Sequence, residues 1–591
     1  MVFSKHTNRY YLKYGWMLLL GIFVLLVEDY MMVLLPEKYQ LVINGVTYGT
    51  VQYQGVEYVF DLNFLLDKIC LPLIWIIAAM VLGRVFWRLL FFGFSLNATI
   101  DLRNRMFDRA RFLSAEYYSR NKVGNLMSLF TNDLETINEG FGHGSVMVVD
   151  AAVIGGMALW RMFRMDWKMT LLSLIPMGLL LATAILMGRY MTKKWKIRQE
   201  AFSRLADFTQ ERFSGISVVK AFVKEAVEMM SFQKLNVENE KANVKHTRAS
   251  VLMRTLVTLF VQSVIAVIFG YGGYLVYQGK FNAGQIMEFY AYFGYIVFPV
   301  MAVSDLIDTT SRCRASALRV GELLDAQPDV VDAEDAREIS DIRGDIDIKN
   351  LTFRYPQGKQ DVLKNISVSI KAGEKVGIVG KTGAGKTTLV DLLLRTYNVP
   401  DGTVFLDGQD VNTLKLHDLR EGFAYVPQDN FLFSDTIENN IAFGVDSLDG
   451  VEAASEMADV ADNIRQFPKT YKTMLGERGV TVSGGQKQRI SIARALLKDA
   501  PVLIMDDSVS AVDTNTEKTI LSNLHKLRQG KTTIIIAHRI STVEALDKII
   551  LLEEGNLVAV GSHTELMQSC PQYQKLVKLQ QLEEEGGKEN A

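Results

Sequence analysis

Six apolar stretches, each long enough to cross a bilayer, occupy the first half of the chain. They cover roughly 16–36, 68–92, 143–163, 168–190, 251–277 and 284–304. Runs of about 20 apolar residues are needed to span the hydrocarbon core of a membrane. The sequence therefore predicts an all-α domain of six transmembrane helices.

The residues before the first stretch indicate its orientation. Lys5, Arg9 and Lys13 precede it, and basic residues are enriched on the cytosolic side of membrane proteins. We therefore expect a cytosolic N-terminus. The stretch is too long and too charged inside to be a cleaved signal peptide.

The second half of the chain differs in composition, which predicts a second domain. At 591 residues the chain is too long for one domain, and all six Trp lie between Trp16 and Trp195. The hydrophobic content of 49% and the mean hydropathy of +0.12 average an apolar half and a soluble half. An acidic segment, LRVGELLDAQPDVVDAEDAREISDIRGD, separates the halves, so we place the domains at 1–330 and 331–591.

Charge and cysteine content narrow the classes of partner. A net charge of −2 gives no reason to expect a nucleic acid. Cys70, Cys313 and Cys570 are scattered without the spacing of a metal site or a disulfide framework, so we expect them to pack.

A complete phosphate-binding segment opens the soluble half. Gly380 to Thr387 read GKTGAGKT, which matches the pattern GxxxxGK[ST]. KVGIV before it is a predicted strand, and TLVDLLLR after it is a predicted helix whose positive end faces the anion. In such loops the backbone wraps the phosphates, Lys386 reaches the terminal ones and Thr387 holds Mg²⁺.

Two adjacent carboxylates, Asp506 and Asp507, end the apolar strand of VLIMDDSVSAVD. In P-loop ATPases the strand-end Asp holds Mg²⁺ and a neighbouring acid orients the attacking water. Asp507 stands in the water-orienting position, where a Glu would reach one methylene further. We therefore expect a site that hydrolyses ATP slowly.

A second anion-binding helix start lies at VSGGQKQR, Val482 to Arg489, before the predicted helix SIARALL. Two phosphate-binding ends so far apart in one chain are explained if each caps a nucleotide that another subunit holds.

With these motifs the chain resembles one half of an ATP-binding cassette (ABC) transporter of the exporter type. Further motifs of that family follow in the same order: Tyr355 in FRYP, Gln428 in YVPQ, GERG at 476–479, SAVD at 510–513 and His538 in IIIAHR. Taken alone, none of these residues indicates function: a Tyr such as Tyr355 is more often packed in the core, and a loop Gln such as Gln428 is usually solvated. A strand-end His such as His538 is more often structural. Their shared order favours the functional interpretation.

The resemblance implies a role for each motif residue. Tyr355 would stack on adenine, Gln428 would coordinate Mg²⁺ and water, and His538 would reach the γ-phosphate. The catalytic set is then Asp507, His538 and Gln428, and the Mg²⁺ set is Thr387, Gln428 and Asp506. The ATP-binding set is Tyr355, Gly380, Lys381, Thr382, Gly383, Ala384, Gly385, Lys386, Thr387, Thr388, Ser483, Gly484, Gly485 and Gln486.

The pair Asp506–Asp507 departs from the usual Asp–Glu pattern of the family. In this respect the chain resembles the degenerate-site subunit of heterodimeric bacterial multidrug exporters, in which one of the two ATP sites hydrolyses ATP poorly. Its signature VSGGQ has Val482 where Leu is usual, which should still work. The resemblance implies a partner subunit whose ATP site is completed by the signature of this chain. The alternative is a homodimer in which Asp507 is an adequate base.

The resemblance also implies the fold: a six-helix transmembrane domain, then an α/β P-loop ATPase domain with an antiparallel β and an α-helical subdomain. The charged stretches at about 99–140 and 192–248 would be cytosolic extensions whose coupling segments, YYSRNKVGNLMSLFTNDLE and ERFSGISVVKAFVKE, touch the ATPase domain. Arg161, Arg164 and Lys168 then crowd an outer turn, against the positive-inside tendency. The opposite topology would place both extensions outside.

The outer loop at about 37–67 contains VINGVTYGTVQYQGVEYVF. Alternating Val and Tyr around the Asn-Gly turn predict a small β-hairpin, and a disordered loop is the alternative.

Charges within the apolar runs bear on the cargo. Glu28 and Asp29 lie in the first run, and Arg84 and Arg88 in the second. Acidic groups in a cavity would favour cationic amphiphiles, while aromatic and Met side chains offer adaptable contact surface. The alternative is that the acids lie at the outer interface or pair with an Arg.

Together these features predict ATP-driven export of amphiphilic or drug-like compounds across a bacterial plasma membrane, with ATP and Mg²⁺ as cofactors and a second ABC half as partner. Homodimeric export of lipid or peptide, siderophore import by the same fold, and a cassette that only gates a channel stay open as alternatives.

Overall fold

The computed structural model of the protein describes residues 4–476, 479, 481–510 and 512–589, with the backbone alone at 184, 189, 304 and 583–589. It divides into two compact units. The first comprises Met1–Arg111 and Lys122–Ala326, and the second comprises Phe112–Asn121 and Gln327–Ala591.

The first unit is helical apart from one hairpin. Through residue 325 the elements are α1 (Asn8–Lys13), α2 (Gly15–Val33), α3 (Leu35–Tyr48), β1 (Thr50–Tyr53), β2 (Val56–Val59), α4 (Leu62–Phe64), a π-helical turn (Leu65–Cys70), α5 (Leu71–Arg111), α6 (Ala115–Arg120), α7 (Val123–Ser128), a second π-helical turn (Leu129–Asp133), α8 (Leu134–Phe141), α9 (His143–Met165), α10 (Trp167–Ser214), α11 (Ile216–Ala221), α12 (Glu225–Tyr277) and α13 (Ala283–Asp325). Of these, α6 belongs to the second unit.

The described residues contain six helical segments that are long and apolar enough to cross a membrane, which confirms the six predicted spans. They are Gly15–Tyr48, Leu62–Arg111, Val123–Met165, Trp167–Ser214, Glu225–Tyr277 and Ala283–Asp325. The longest has 53 residues, or about 80 Å at the α-helical rise, against a hydrocarbon core of about 30 Å. The helices therefore extend far beyond the bilayer.

Apolar side chains pack the inner faces of the last four spans. Met162 of α9, Met169 of α10, Ile268 of α12 and Phe289 of α13 are buried in one cluster. The turn between α9 and α10 is as short as its sequence suggests, because Asp166 caps α10 by accepting a hydrogen bond from the Met169 amide at 2.6 Å.

The predicted hairpin exists, but its turn is not the Asn-Gly pair. β1 and β2 pair antiparallel, with Tyr53 opposite Val56, and the turn is Gln54-Gly55, both with positive φ. Asn44 and Gly45 lie inside α3. A Cβ at Gly45 would come within 2.0 Å of the Phe60 ring, so this glycine permits a close packing contact instead of a turn.

The second unit is an α/β structure with two sheets. Its strands are β3 (Ile346–Phe353), β4 (Leu363–Ile370), β5 (Lys375–Val379), β6 (Val404–Leu406), β7 (Gln409–Asp410), β8 (Phe423–Val426), β9 (Val502–Asp506), β10 (Thr532–Ile536), β11 (Lys548–Glu553) and β12 (Asn556–Gly561). Its further helices are α14 (Lys386–Leu393), α15 (Leu416–Glu421), α16 (Ile437–Ile441), α17 (Val451–Met457), α18 (Ala461–Arg465), α19 (Gly484–Lys498), α20 (Thr514–Leu527), α21 (His563–Ser569) and α22 (Pro571–Glu589), with 3₁₀ turns at Val411–Thr413, Ala442–Gly444, Thr470–Lys472 and Ile540–Thr542.

The larger sheet has the order β12-β11-β5-β10-β9-β8. Its five strands from β11 to β8 run parallel, and β12 is antiparallel to β11. Every residue of β9 and β10 is buried, as expected for strands covered on both faces. The smaller sheet, β4-β3-β6-β7, is antiparallel. The predicted fold class is thereby confirmed.

Three apolar cores lie in the described part of this unit, the third packing α21 and α22 against the larger sheet around Val379, Ile535 and Tyr573. The first joins both sheets and α14, with Leu351 and Leu389 at its centre. The second holds the helices between β8 and β9, including Ile441 of α16 and Ile490 of α19. The second core is that of an α-helical subdomain.

The short helix α6 groups with the second unit although its sequence lies between membrane spans. Within that unit the Ser114 hydroxyl, which precedes α6, donates to the Asp329 carboxylate at 2.8 Å. Residues 117–121 of this segment are the first residues of the predicted first coupling segment.

Candidate functional site

Four adjacent parallel strands deliver the predicted site residues to one edge of the larger sheet. Gly380 follows β5, Gln428 follows β8, Asp506 ends β9 and His538 follows β10. Because the carboxyl ends of parallel strands share an edge, these positions lie side by side. The arrangement is typical of a phosphate site.

The loop between β5 and α14 depends on glycine at two places. Gly380 has a φ of +156°, and a Cβ there would lie 2.2 Å from the Leu552 carbonyl oxygen. Gly385 has a φ of +95° directly before α14, where a Cβ would lie 2.7 Å from Leu363. Side chains at either position would therefore deform the loop whose backbone amides face an anion.

Lys386 is the first residue of α14, directly after this loop. Its ammonium group donates to the carbonyl oxygens of Gly380 at 2.8 Å and Lys381 at 3.1 Å. Burial lowers the pKa of Lys386 from its ordinary value, and the charges of Asp506 and Asp507 oppose that shift. The lysine is thus held in place beside two carboxylates.

Asp506 fits a Mg²⁺ ligand. It is 1% exposed, and its Oδ2 atom has no hydrogen-bond partner among the described residues. Burial raises the pKa of Asp506, while a hydrogen bond from Thr387 opposes the rise and the charge of Asp507 adds to it. A buried carboxylate oxygen without a partner is costly unless a cation completes it, so Asp506 and Thr387 fit a divalent ion.

Asp507 occupies a strained backbone position that neighbours hold in place. Its φ is +47°, in the left-handed region that residues other than glycine seldom adopt. Its carbonyl oxygen accepts hydrogen bonds from Gln488 at 3.2 Å and from Ser510 at 2.9 Å, and its amide donates to the Ile536 carbonyl at 3.0 Å. The loop is therefore fixed from three sides.

The Asp507 carboxylate faces His538 across a gap. Its Oδ2 lies 4.0 Å from His538 Nε2, beyond hydrogen-bond distance. The Asp507 side chain is 15% exposed and that of His538 is 38% exposed, so water can reach both. The two groups are close, but they do not bond directly.

Tyr355 lies beside the loop, with its ring held by two other aromatic rings. Phe353 and Tyr397 pack edge-on against it, each with ring centroids 5.1 Å away. Its hydroxyl forms a hydrogen bond with Thr388 at 2.9 Å. Burial raises the pKa of Tyr355. The ring is thereby fixed at the start of α14.

The signature residues lie in the helical subdomain. Ser483 caps α19 in a capping box: its hydroxyl accepts from the Gln486 amide at 3.3 Å, and its amide donates to the Gln486 side chain at 3.0 Å. Gly484 and Gly485 form the first turn. The α19 core is separate from the core beneath the phosphate-binding loop. The signature is therefore built apart from the Walker residues, by which we mean Gly380 to Thr387 with Asp506 and Asp507.

Three residues that the sequence reasoning missed support the site. Gln488 on α19 reaches the Asp507 loop, as described above. Gln580 on α22 contacts the backbone directly after the His538 side chain: it donates to the His538 carbonyl at 2.6 Å and accepts from the Ile540 amide at 2.8 Å. Asp391 on α14 has its pKa raised to about 6 by burial and by the charge of Asp506.

Only Asp391 gave a sequence signal, as an acid within the apolar run TLVDLLLR.

Two predicted motifs are incompletely described. Residues 477 and 478 of GERG and residue 511 of SAVD lie outside the described residues. The described part of SAVD ends at Asp513, which caps α20 by accepting from the amides of Asn515 and Thr516, both at 3.1 Å.

Within the membrane domain, two of the predicted charged residues, Glu28 and Arg84, pair with each other. Glu28 accepts from Arg84 Nε at 2.9 Å and from the Trp87 indole at 2.5 Å. This matches the alternative in which the acid pairs with an Arg. Asp29 is buried beside it.

Comparison with known proteins agrees with this arrangement. Residues 363–510 match the family described as ABC transporter, and residues 18–300 match the ABC transporter transmembrane region. The chain is 33% identical over 585 residues to the probable multidrug resistance ABC transporter ATP-binding/permease protein YheI of Bacillus subtilis, covering 98% of this chain and 97% of that protein.

Two further matches cover most of the chain. The ATP-dependent lipid A-core flippase of Syntrophus aciditrophicus is 36% identical over 495 residues, covering 83% of this chain and 81% of that protein. The ATP-bound structure of a bacterial Atm1-family ABC exporter matches with a TM-score of 0.76 and 27% identity, covering 95% of this chain and 98% of that one.

Proposed function

This chain belongs to the ABC transporters in which a membrane domain and an ATPase domain are fused, and on that premise we propose that it exports amphiphilic or drug-like compounds as one half of a heterodimer. The family membership makes it a multi-pass plasma-membrane protein whose ATP hydrolysis is coupled to transport. In the proposed complex, this chain supplies a slow ATP site and an intact signature.

The observation that carries the proposal is the gap between Asp507 and His538. A water that attacks the γ-phosphate must be oriented by the carboxylate while the histidine contacts the phosphate. The carboxylate stops 4.0 Å from the imidazole, and a Glu would extend it by about 1.5 Å, one carbon–carbon bond. Hydrogen bonds from Gln488 and Ser510 to the Asp507 carbonyl oppose a compensating shift of the backbone.

The remaining residues of the site retain what ATP binding requires. The loop from Gly380 to Gly385 presents its amides to the phosphates, Lys386 supplies positive charge, and Tyr355 offers its ring to the adenine. Asp506, Thr387 and Gln428 would hold Mg²⁺, which neutralises charge that develops on the phosphates. Because only the water-orienting group is shortened, we expect tight binding with slow hydrolysis.

In the proposed cycle, two cassettes close on two ATP molecules, each held between the Walker residues of one subunit and the signature of the other. Ser483, Gly484, Gly485 and Gln486 of this chain then complete the partner's faster site. Closure moves the coupling segments and opens the cavity outward, and hydrolysis at the faster site resets it. ATP at the site of Lys386 and Asp507 persists through several cycles.

The experiment that tests this proposal measures nucleotide turnover at each site of the assembled transporter. Radiolabelled ATP is bound, unlabelled ATP is added in excess, and the label that remains on each subunit is followed after photocrosslinking. We expect label on the Walker site of this chain to outlast many turnovers. Equal loss of label from both sites would refute the proposal.

One alternative has a specific observation in its favour. The relative from Syntrophus aciditrophicus is a lipid A-core flippase, so a lipid exporter is the second candidate. If ATP-driven movement of a fluorescent phospholipid between leaflets is faster than movement of amphiphilic dyes, the lipid function is favoured.

A further inference from the structure

A polar cavity of about 300 Å³ lies inside the membrane domain where α2, α5, α9 and α13 meet. Five charged side chains line it, namely Glu28, Asp29, Arg84, Arg88 and Asp150. Charged side chains within membrane spans are costly, and they usually mark pathways for substrates or ions. The cavity is therefore the part of the membrane domain whose chemistry bears most on the cargo.

Glu28 has protein partners for its charge. Both of its carboxylate oxygens are engaged, one by Arg84 and the other by the Trp87 indole, and its side chain is 5% exposed. These contacts join α2 to α5. Glu28 thus has a structural role in the cavity wall.

Asp29, the next residue, is not engaged by an arginine or an indole in the described part of the chain; its neighbour is another acid. It is 3% exposed, and its Oδ2 has no hydrogen-bond partner among the described residues. Asp150 of α9 lies close enough for the two carboxylates to interact. Two adjacent buried carboxylates repel each other when both are ionised, and the free Oδ2 of Asp29 can accept a further contact, so the pair suits a positive group from outside the protein.

The charge of the wall agrees with this requirement. Three carboxylates face two guanidinium groups, so one negative charge remains when all are ionised. Trp87, Tyr295 and Phe298 also line the cavity, and the Tyr295 hydroxyl is anchored by a 3.2 Å hydrogen bond to the Met32 carbonyl. Aromatic faces beside a carboxylate suit an organic cation better than a small hydrated ion.

An adjoining cavity extends the space available to a ligand. It has a volume of about 480 Å³ and shares Trp87, Arg88, Asp150 and Phe298 with the first. His143, Phe92, Val146 and Met147 complete its wall. The two cavities together are in the size range of sites for drug-sized molecules, with the acidic pair in the first and apolar surface in the second.

We propose that Asp29 and Asp150 bind the cationic group of an amphiphilic cargo, whose apolar part packs against Trp87, Tyr295 and Phe298. The site takes monocations in which a permanently charged nitrogen adjoins an aromatic or alkyl body. This inference rests on the proposed export function and specifies the class of its cargo.

The test uses the assembled transporter in lipid nanodiscs and two dyes, ethidium as a permanent monocation and Nile red as a neutral amphiphile. Equilibrium binding of each is measured by fluorescence against empty nanodiscs. Asp29→Asn and Asp150→Asn remove one charge each with little change in shape. We expect each variant to weaken ethidium binding about tenfold or more, because a close ionic contact is lost, and to change Nile red binding by less than about twofold.

Glu288→Gln is the matched control. Glu288 is another buried acid of the membrane domain, 8% exposed, and it accepts a hydrogen bond from Tyr292 at 3.1 Å. It does not line either of the two cavities. We expect this variant to bind both dyes like the unmodified transporter, so general damage to the bundle can be distinguished from loss of the site.

Four binding outcomes and two transport outcomes decide between the possibilities. Selective loss of ethidium binding in both Asp variants supports the site. Equal loss of both dyes, an equal effect in Glu288→Gln, or no ethidium binding above empty nanodiscs overturns it. ATP-driven transport in vesicles is measured in parallel: Nile red export without Asp29-dependent ethidium binding refutes the site alone, whereas Asp29-dependent binding without export of either dye refutes the proposed function alone.

Discussion

Asp507→Glu should convert the ATP site that we propose to be slow into one that hydrolyses ATP at a normal rate. The substitution adds one methylene to a carboxylate whose Oδ2 now lies 4.0 Å from His538 Nε2. An extension of about 1.5 Å is sufficient to bring the carboxylate within hydrogen-bond distance of the imidazole. A water held by both groups is then oriented for attack.

The size of the effect follows from the role of the group. A correctly placed general base contributes about 10²–10⁴-fold in rate, so we expect single-turnover hydrolysis at this site to rise about a hundredfold or more. ATP affinity should not change, because Lys386, Thr387 and Asp506 are untouched. The steady-state rate of the complex should approach the sum of two working sites.

The assay is rapid-quench hydrolysis of ATP bound to the assembled transporter, with the partner's own site inactivated by substitution of its Walker lysine. Asp507→Asn serves as the companion variant, and in the otherwise unmodified complex it should barely change ATP turnover. If Asp507→Asn lowers turnover of the complex to background, or if Asp507→Glu leaves single-turnover hydrolysis unchanged, the reasoning about reach is wrong.

Three further predictions concern the supports of the site. Tyr355→Ala should weaken ATP binding by about 1–3 kcal/mol because stacking on the adenine is lost. Tyr355→Phe keeps the ring and should bind ATP nearly as tightly as the unmodified protein. Equal losses of affinity for the two variants in a nucleotide-binding titration would contradict a stacking role. Gln580→Ala should lower kcat severalfold with little change in the KM for ATP, because it releases the backbone next to His538. The matched control is Gln581→Ala, at an exposed neighbouring position, which should have no effect. A change in KM alone would argue against a positioning role for Gln580. The pKa of Asp391 is raised to about 6, so the folded state binds the proton of this carboxyl more tightly than the unfolded state does. Protonated Asp391 therefore stabilises the fold at low pH, and this contribution is lost as the pH rises through about 6. Asp391→Asn should therefore flatten the fall in ATPase-domain melting temperature between about pH 4 and pH 6, and an unchanged slope in calorimetry would contradict this.

Hydropathy and motif spacing were sufficient to predict the gross architecture. Six spans followed from six apolar runs, because the membrane requires such runs whatever their packing. The P-loop and the strand-end Asp506 followed from residue types that phosphate and Mg²⁺ demand. These features depend on local sequence, so they could be read without coordinates.

Features that depend on tertiary contacts could not be read in this way. The Asn44-Gly45 pair has the sequence of a hairpin turn, yet it lies within α3 because Gly45 packs against Phe60. Gln580 reaches His538 across 42 positions of sequence, and no pattern around it signals that contact. The relation of Asp29 to Asp150 likewise depends on how α2 and α9 pack.

The distinction between Glu28 and Asp29 shows the same limit. Both are acids in one apolar run, and the sequence offered no reason to separate them. Arg84 and Trp87 of α5 engage Glu28, whereas one oxygen of Asp29 has no hydrogen-bond partner among the described residues. Helix orientation decides which of the two residues is structural and which carries the proposed binding role.

The most direct test of the account is native mass spectrometry of the complex gently extracted from its own membrane. We predict a heterodimer in which this 66.5 kDa chain is paired with a different ABC half. The ATP site of that partner should have a Glu at the position that corresponds to Asp507. A dimer of two identical chains would contradict the account, because Asp507 would then serve both ATP sites and the slow-site hypothesis would have to be abandoned.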